Sequence, residues 1–367
     1  MPIYMDFHKI ANVTIDDVKK AHMADEAIQD KYGVKYHQFW VNQENGSVFC
    51  LVEGPDKETC ERVHQMAHGN LACALTEVEI GFYEKLMGKE HTVDNGHVKN
   101  NDGSEDLGYR NILIASVYGK TRAYGLTDLS QLQRPDWARK IIMQNIPAFN
   151  GRELGWEKDD SLIGVFHNAT HAIQCALQIQ QELIHFEQKQ PEIIFKIGIS
   201  ASQPVTQNGD FFKEAIKLAH RLSVTVQDNQ ILISSLVKKL CRNEELLTKK
   251  SSLKFLNEKE EEFVSTLISI AEAKLADQQF DLNRLSNEVC VSRPQLYRKV
   301  MSLTGRSPID FIRDLRMDKA LTLLKQKRSN IAEIAYESGF NSSSYFTKCF
   351  AEKFGCTPSL FIKTDIA

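Results

Sequence analysis

No stretch of this 367-residue sequence approaches the roughly 18 to 20 uninterrupted apolar residues that span a bilayer. Nor does the opening MPIYMDFHKIANVTIDD contain a basic segment followed by an apolar run, so neither a membrane protein nor a secreted one is expected. Cysteine is sparse: eight residues lie scattered along the chain with no C-x-x-C pair and no dense framework. That spacing disfavours a disulfide scaffold and fits a reducing cytoplasm. Also missing are a Gly-x-Ser-x-Gly elbow, a phosphate-cradling glycine loop ending in Lys-Ser/Thr, and an H-E-x-x-H pair. None of these common signatures therefore nominates an enzyme. Repeats of solenoid period are absent as well.

What is present is material for packed cores: 42% of residues are hydrophobic, 25% charged and 9% aromatic. At roughly 100 to 200 residues per domain, the length corresponds to two or three domains. The net charge of −3 conceals a division. Residues 280 to 367 hold 14 Lys and Arg against 9 Asp and Glu, or +5, which leaves −8 for the rest. A basic end on an acidic remainder is compatible with nucleic-acid binding.

The first 87 residues read as strand, helix, strand, strand, helix, strand. Thr14-Ile15-Asp16-Asp17 opens a helix that Gly33 stops, with acidic residues near its positive N-terminal end. The stretches 34 to 41 and 47 to 53 are β-rich, and the Asn45-Gly46 between them is a strong hairpin signal. A second helix runs to His68, Gly69 ends it, and a last strand is expected over 74 to 83. This order is the ferredoxin-like one. Residues 88 to 109 are polar and rich in Gly and Asn, and read as a flexible linker. An α/β block over 110 to 243 follows, then a Lys- and Glu-rich connector over 244 to 261, then a wholly helical part over 262 to 367.

The C-terminal part carries the strongest pattern. Leu282, Leu285 and Val289 recur at helical spacing, a turn follows, and Ser292 can cap a new helix with Pro294 in its first turn. Leu296, Val300 and Leu303 would face the core of that helix, leaving Arg293, Gln295, Arg298 and Lys299 outward. A long amphipathic helix begins at Ser307-Pro308, and the pattern then repeats. In the second unit Phe346, Phe350 and Phe354 form a stripe, while Ser343, Ser344, Thr347 and Lys348 can face outward. Two helix-turn-helix units are expected.

The text VSRPQLYRKVMSLTGRSPIDFIRDLRMDKALTLL followed by IAEIAYESGFNSSSYFTKCFAEKFGCTPSLF closely resembles the DNA-binding domain of AraC/XylS-type transcription regulators, over about 100 residues. The resemblance implies that the helices near 292 to 304 and 342 to 354 enter successive major-groove segments of double-stranded DNA. A guanidinium fork matches guanine O6 and N7, so Arg298 is the leading base reader, with Arg293 and Gln295 beside it. Lys299 and Lys348 suit phosphates, which position the protein without specifying sequence.

Seven of the 11 histidines lie in the first 97 residues. His64 and His68 are four apart on the second expected helix and can share a face. His22, His37 and Cys50 are further candidate ligands, and imidazole with thiolate suits nickel, zinc or copper rather than magnesium or calcium. The stretches AHMADEAIQDKYGVKY, FWVNQENGSVFCLVEGPD and VHQMAHG resemble a family of small ferredoxin-like domains with a nickel-binding member. That resemblance points to His22, Cys50, His64 and His68 as metal-site residues, with Asp25 and Gln29 as polar partners.

The middle block, through RNILIASVYGKTR, EKDDSLIGVFHNATHAIQCALQIQQEL, FKIGISASQPVTQNGDFFKEAIKLAHRLS and NQILISSLV, resembles class III nucleotide cyclases. Active members hold two metal ions with two carboxylates. The resemblance puts Ser116 at the first carboxylate position and Asp160 at the second. It also puts Trp156 where a base-reading Lys stands, Lys217 in place of an Asn, and Arg221 as a match. One carboxylate cannot assemble the two-metal site, so a non-catalytic domain is expected, with dimerisation the property most readily carried over.

Together these readings describe a multidomain, cytoplasmic transcription regulator: an α+β ferredoxin-like domain, an α/β cyclase-like domain and an all-α domain with two helix-turn-helix units. Its expected partners are double-stranded DNA, a transition metal or small-molecule effector, a second copy of itself and RNA polymerase. Two alternatives stand beside it, a residual nucleotide cyclase fused to a DNA-binding module and a metal-storage protein.

Overall fold

This computed structural model describes the chain apart from residues 90–91, 120–135, 157–160, 188–192, 206–209, 249–252, 327–329 and 364–367. The described residues form two compact units, 1–111 with 201–217, and 112–200 with 218–367.

In the first unit the chain runs β1 (Ile3–Lys9), α1 (Ile15–Tyr32), β2 (Lys35–Asn42), β3 (Ser47–Glu53), α2 (Lys57–Ala67) and β4 (Ala74–Val78). Thr14 and Asp17 form a reciprocal capping box at the start of α1, which satisfies two otherwise orphaned N–H groups. Gly33 closes the helix at φ +65°, a conformation in which a β-carbon is disfavoured. β1 lies antiparallel between β3 and β4, and β2 pairs antiparallel with β3, giving the order β4-β1-β3-β2. This is the expected βαββαβ arrangement. The strand expected over 74 to 83 ends at Val78. Beyond it, Tyr83, Leu86 and Met87 recur at helical spacing and bury one face of α3 (Ile80–Met87).

Residues 88 to 109 are not simply the linker that their composition suggests. β5 (Thr92–Asp94) pairs with β6 (His97–Lys99), and β6 joins the edge of β2 through Phe39 and His97, so the sheet has six strands. Asp106 then anchors the segment. It accepts hydrogen bonds from Trp40 Nε1 at 3.1 Å and from the Arg110 guanidinium at 2.8 and 3.0 Å. Arg110 is 1% exposed and also donates to the carbonyls of Leu86 and Met87. Order here comes from a buried ion pair and hydrogen bonds rather than from apolar content, so composition alone does not reveal it.

The second sheet, in the order β12-β11-β10-β7-β9-β8, is mixed: β10, β11 and β12 run parallel and β8 with β9 antiparallel. Its elements are β7 (Arg110–Gly119), α4 (Asp136–Ala148), β8 (Arg152–Trp156), β9 (Ser161–Phe166), α5 (Ala169–Glu187), β10 (Ile193–Ser202), α6 (Lys213–Thr225), β11 (Gln230–Ile233) and α7 (Ser235–Leu240). The stretch 244 to 261 is part of the fold rather than a plain connector. It contains α8 (Glu244–Thr248), the edge strand β12 (Leu253–Phe255) and the start of α9 (Glu258–Lys274).

Six further helices complete the chain: α10 (Leu282–Glu288), α11 (Arg293–Thr304), α12 (Pro308–Gln326), α13 (Ile331–Glu337), α14 (Ser343–Phe354) and α15 (Pro358–Lys363). They enclose two apolar cores. The first combines Leu267 of α9, Leu285, Leu296, Val300 and the start of α12 with Leu222 of α6 and Leu232 of β11. The second joins Met317, Ala320 and Leu324 of α12 to Ile334, Phe346 and Phe350. One helix, α12, thus belongs to both cores, because its apolar positions change face midway. Arg306 ties the end of α11 to the end of α6 through the carbonyls of Thr225 and Val226 at 3.0 Å, and Lys254 ties it to β12 of the second sheet through that of Leu303, also at 3.0 Å. Cations at a helix C-terminus satisfy its orphaned carbonyls.

Candidate functional site

In the first unit, strand alternation places Asp6 and His8 on the same face of β1. Helical spacing likewise puts His22 and Asp25 together on α1, and His64 and His68 together at the end of α2. Asp6, His8, Asp25, His64 and His68 form one cluster, buried but for the half-buried His68, and His22 lines the same pocket. Asp6 Oδ2 lies 2.8 Å from His64 Nε2 and 3.4 Å from His8 Nε2, while Asp6 Oδ1 accepts the Cys50 backbone N–H at 2.6 Å. On its other edge, His64 Nδ1 is 3.2 Å from Asp25 Oδ2 and 3.1 Å from His68 Nε2. His68 Nε2 is in turn 3.2 Å from Asp25 Oδ2.

Electrostatics follow from the burial. Desolvation opposes charge on His64, yet hydrogen bonds to Asp25 and Asp6 outweigh it and push the imidazole pKa up to about 10. Burial would raise the Asp6 carboxyl, but His8 and His64 hold it well below the usual range. The Cys50 thiol is driven far up by burial and by Asp6 and Asp25. His22 is different, since both of its ring nitrogens are buried without a hydrogen-bond partner, and burial lowers its pKa. Buried polar atoms in native folds are nearly always paired. His22 lines a pocket together with Asp25, Cys50, His64 and His68, its Nε2 3.5 Å from Glu26 Oε1.

Two triads have donor atoms within 4.8 Å of one another: Asp6, His8 and His64; and Asp25, His64 and His68. Nitrogen and carboxylate oxygen together suit a divalent transition metal. The structure brings all four sequence-nominated residues, His22, Cys50, His64 and His68, to the same pocket. Asp6 and His8 were missed, although their alternation on the first strand was a usable signal. His37 lies elsewhere, 3.3 Å from Glu53. Gln29 is occupied in accepting the Tyr36 backbone N–H at 2.7 Å.

In the second unit, α11 and α14 each begin with a serine N-cap and end at a glycine of positive φ. Arg293, Arg298, Ser344 and Lys348 are exposed, and Ser343 and Thr347 half-buried. Two nominated residues have local duties. Gln295 completes the capping box of α11, its Oε1 accepting from the Ser292 N–H and hydroxyl at 3.0 Å. The Lys299 ammonium sits 4.7 Å from the Phe263 ring centroid, a cation–π contact that turns it toward α9. Sequence reasoning missed Tyr297 and Tyr345, which are about half exposed on the same two helices.

Of the positions nominated by the cyclase resemblance, Asp160 and the Trp156 side chain lie outside the described residues. Ser116 lines a cavity, and Arg221 donates to Glu272 on α9 at 3.0 Å.

Residues 285–364 match a family described as a helix-turn-helix domain, and residues 4–78 match a family described as nickel responsive protein SCO4226-like. A histidine kinase P4 from Formosa agariphila is 38% identical over 102 residues, which are 28% of this chain but 7% of that protein. The HTH-type transcriptional activator RhaS from Mannheimia succiniciproducens is 34% identical over 82 residues, 22% of this chain and 31% of that one. The chain thus spans less than a third of either relative. Among solved structures, an adenylate/guanylate cyclase/hydrolase from Silicibacter pomeroyi is 28% identical, covering 36% of this chain and 78% of that chain at a TM-score of 0.31. Neither family match reaches half of the chain.

Proposed function

We propose that this chain is a cytoplasmic, sequence-specific transcription regulator whose N-terminal domain senses a transition metal and whose C-terminal domain reads DNA. The observation that carries the reading is the pair of capped helix-turn-helix units sharing α12, each with an exposed polar face on its second helix. An activator among the relatives supports it. The domains are taken as 1–87, 110–243 and 262–367. The middle block acts without catalysis, since Ser116 cannot serve as a metal carboxylate, and we assign it to pairing two copies of the chain. RNA polymerase is the further partner that an activator would need.

Among the nominated DNA contacts, Arg298 reads a base and Lys348 meets a phosphate. Arg298→Ala is therefore expected to relax discrimination at particular base pairs by about 1–3 kcal/mol, while Lys348→Ala weakens all sequences evenly and lowers the salt slope by about one. Fluorescence anisotropy on cognate and scrambled duplexes at several salt concentrations checks this. Equal losses on both duplexes for both variants would refute the division.

For the metal, His8, His64 and His68 with Asp6 and Asp25 supply the donors, and His22 completes them; nickel is the first choice, zinc or copper the alternatives. A bound ion would act as a fixed divalent charge that draws β1, α1 and α2 together. His22→Phe removes no hydrogen bond and only a 3.5 Å contact to the half-exposed Glu26, so stability should change little while nickel affinity falls about 10- to 100-fold. Calorimetry beside thermal unfolding tests this, and unchanged affinity would take His22 out of the site. Should stoichiometric nickel leave DNA affinity unaltered, the pocket stores metal rather than signalling.

A further inference from the structure

A cavity of about 250 Å³ lies within the second unit, bordered by strands of the second sheet and by helices α6, α9 and α12. Val224, Ile268, Leu275, Leu315 and Leu321 give it an apolar lining. Two acids also border it, and both are already matched. Glu272 holds Arg221 at 3.0 Å, and Asp318 holds Lys353 at 2.7 Å.

Lys196 of β10 borders the same cavity and feels the charge of Asp318, which it shares with Lys353, but no hydrogen bond joins its ammonium to a described residue. It is 3% exposed, and its nearest ion-pair contact is Asp228 Oδ1 at 3.7 Å, beyond hydrogen-bond reach. Asp228 is itself about half exposed, so it remains largely in water. Burial pulls the Lys196 pKa down. A buried ammonium with carboxylates near it but no hydrogen-bond acceptor among the described residues is costly to maintain, and an anion entering the cavity would supply the acceptor.

We propose that this cavity binds a small organic carboxylate, its apolar body among Val224, Ile268 and Leu315 and its carboxylate on the Lys196 ammonium, as an effector that acts on the DNA reader. A dry cavity of about 150 Å³ admits benzene, so this one suits a body of about five to seven carbons. The route to the reader is short. Lys353, the partner of Asp318, stands on α14, and α12 itself runs through both helix-turn-helix cores. A ligand that favours one setting of α12 shifts DNA affinity by its differential affinity for the two settings. Only this regulatory half rests on the DNA-binding function proposed above.

The test is calorimetric titration of the full chain with hexanoate and cyclohexanecarboxylate, their uncharged amides serving as controls. The expected result is saturable binding of at least one acid at one per chain, at least tenfold weaker binding of its amide, and loss of that preference in Lys196→Met. Lys196→Met removes a buried charge that has no hydrogen-bond acceptor among the described residues, while Asp318 keeps Lys353, so the variant should unfold no earlier than the parent. Val224→Phe, which fills the cavity from another side, should weaken acid and amide alike. No binding of either acid, equal binding of acid and amide, or full retention in Lys196→Met overturns the site. Binding that leaves affinity for a selected duplex unchanged overturns the control of the reader. A chain that binds the acid but no DNA would instead sink the proposed function while leaving the site standing.

Discussion

His64→Gln is expected to lower nickel affinity by at least about 100-fold, the largest loss of any single change in the pocket. The reason is geometric. His64 belongs to both donor triads, offering Nε2 to the side of Asp6 and His8 and Nδ1 to the side of Asp25 and His68. His8→Ala and His68→Ala each break one triad, and the larger loss of the two identifies the ion's position. Changes to residues that only hydrogen-bond a metal's ligands cost about 10- to 100-fold, so removing a shared ligand should exceed them. The same change takes from the buried Asp6 and Asp25 the imidazolium they share, leaving Asp6 only His8 and Asp25 only His68. A stability loss of about 3–5 kcal/mol should accompany it. Nickel titration by calorimetry, run well below the unfolding temperature of each variant, separates the two effects. Nickel affinity within tenfold of the parent would exclude this cluster as the metal site.

Asp106→Ala should destabilise the first unit by about 3–5 kcal/mol, because it strands the Arg110 guanidinium in an interior where that side chain is 1% exposed. Trp40 Nε1 loses its acceptor at the same time. Replacing both charges together, as Asp106→Leu with Arg110→Met, should recover most of the loss, since the desolvation of each ion disappears with it. Urea unfolding followed by Trp40 fluorescence measures the difference. Hydrogen exchange should show β5 and β6 opening first in the single variant. A loss below about 1 kcal/mol would mean that the segment after α3 is held by something other than this pair.

These two sites mark where the sequence was readable and where it was not. Local signals carried well: Thr14 with Asp17, Gly33, Ser292 and Ser342 each start or stop a helix at the position their own chemistry favours. The paired helix-turn-helix pattern was legible for the same reason, its apolar positions recurring within single helices. β5 and β6 were not. They are three residues each, and their order depends on Asp106 meeting Trp40 from 66 positions away. In the metal pocket, the histidine pair on α2 announced itself by spacing, whereas Asp6 and His8 reach the site only because β1 lies beside β3 in the sheet. Gln295 shows that one side chain can have a local duty as well as a nominated contact. Ser292-x-x-Gln295 is a capping-box pattern, and the glutamine read as a base contact is engaged by its own helix start.

The account stands or falls on whether the chain reads DNA sequence. The most direct measurement is selection of bound duplexes from a random pool by the full-length protein, sequenced after several rounds, with nickel and with chelator. The account predicts an enriched motif of two short elements whose centres lie about one helical turn apart, with Arg298→Ala losing information in one element and nickel changing the yield. A pool that stays random under both conditions would contradict it.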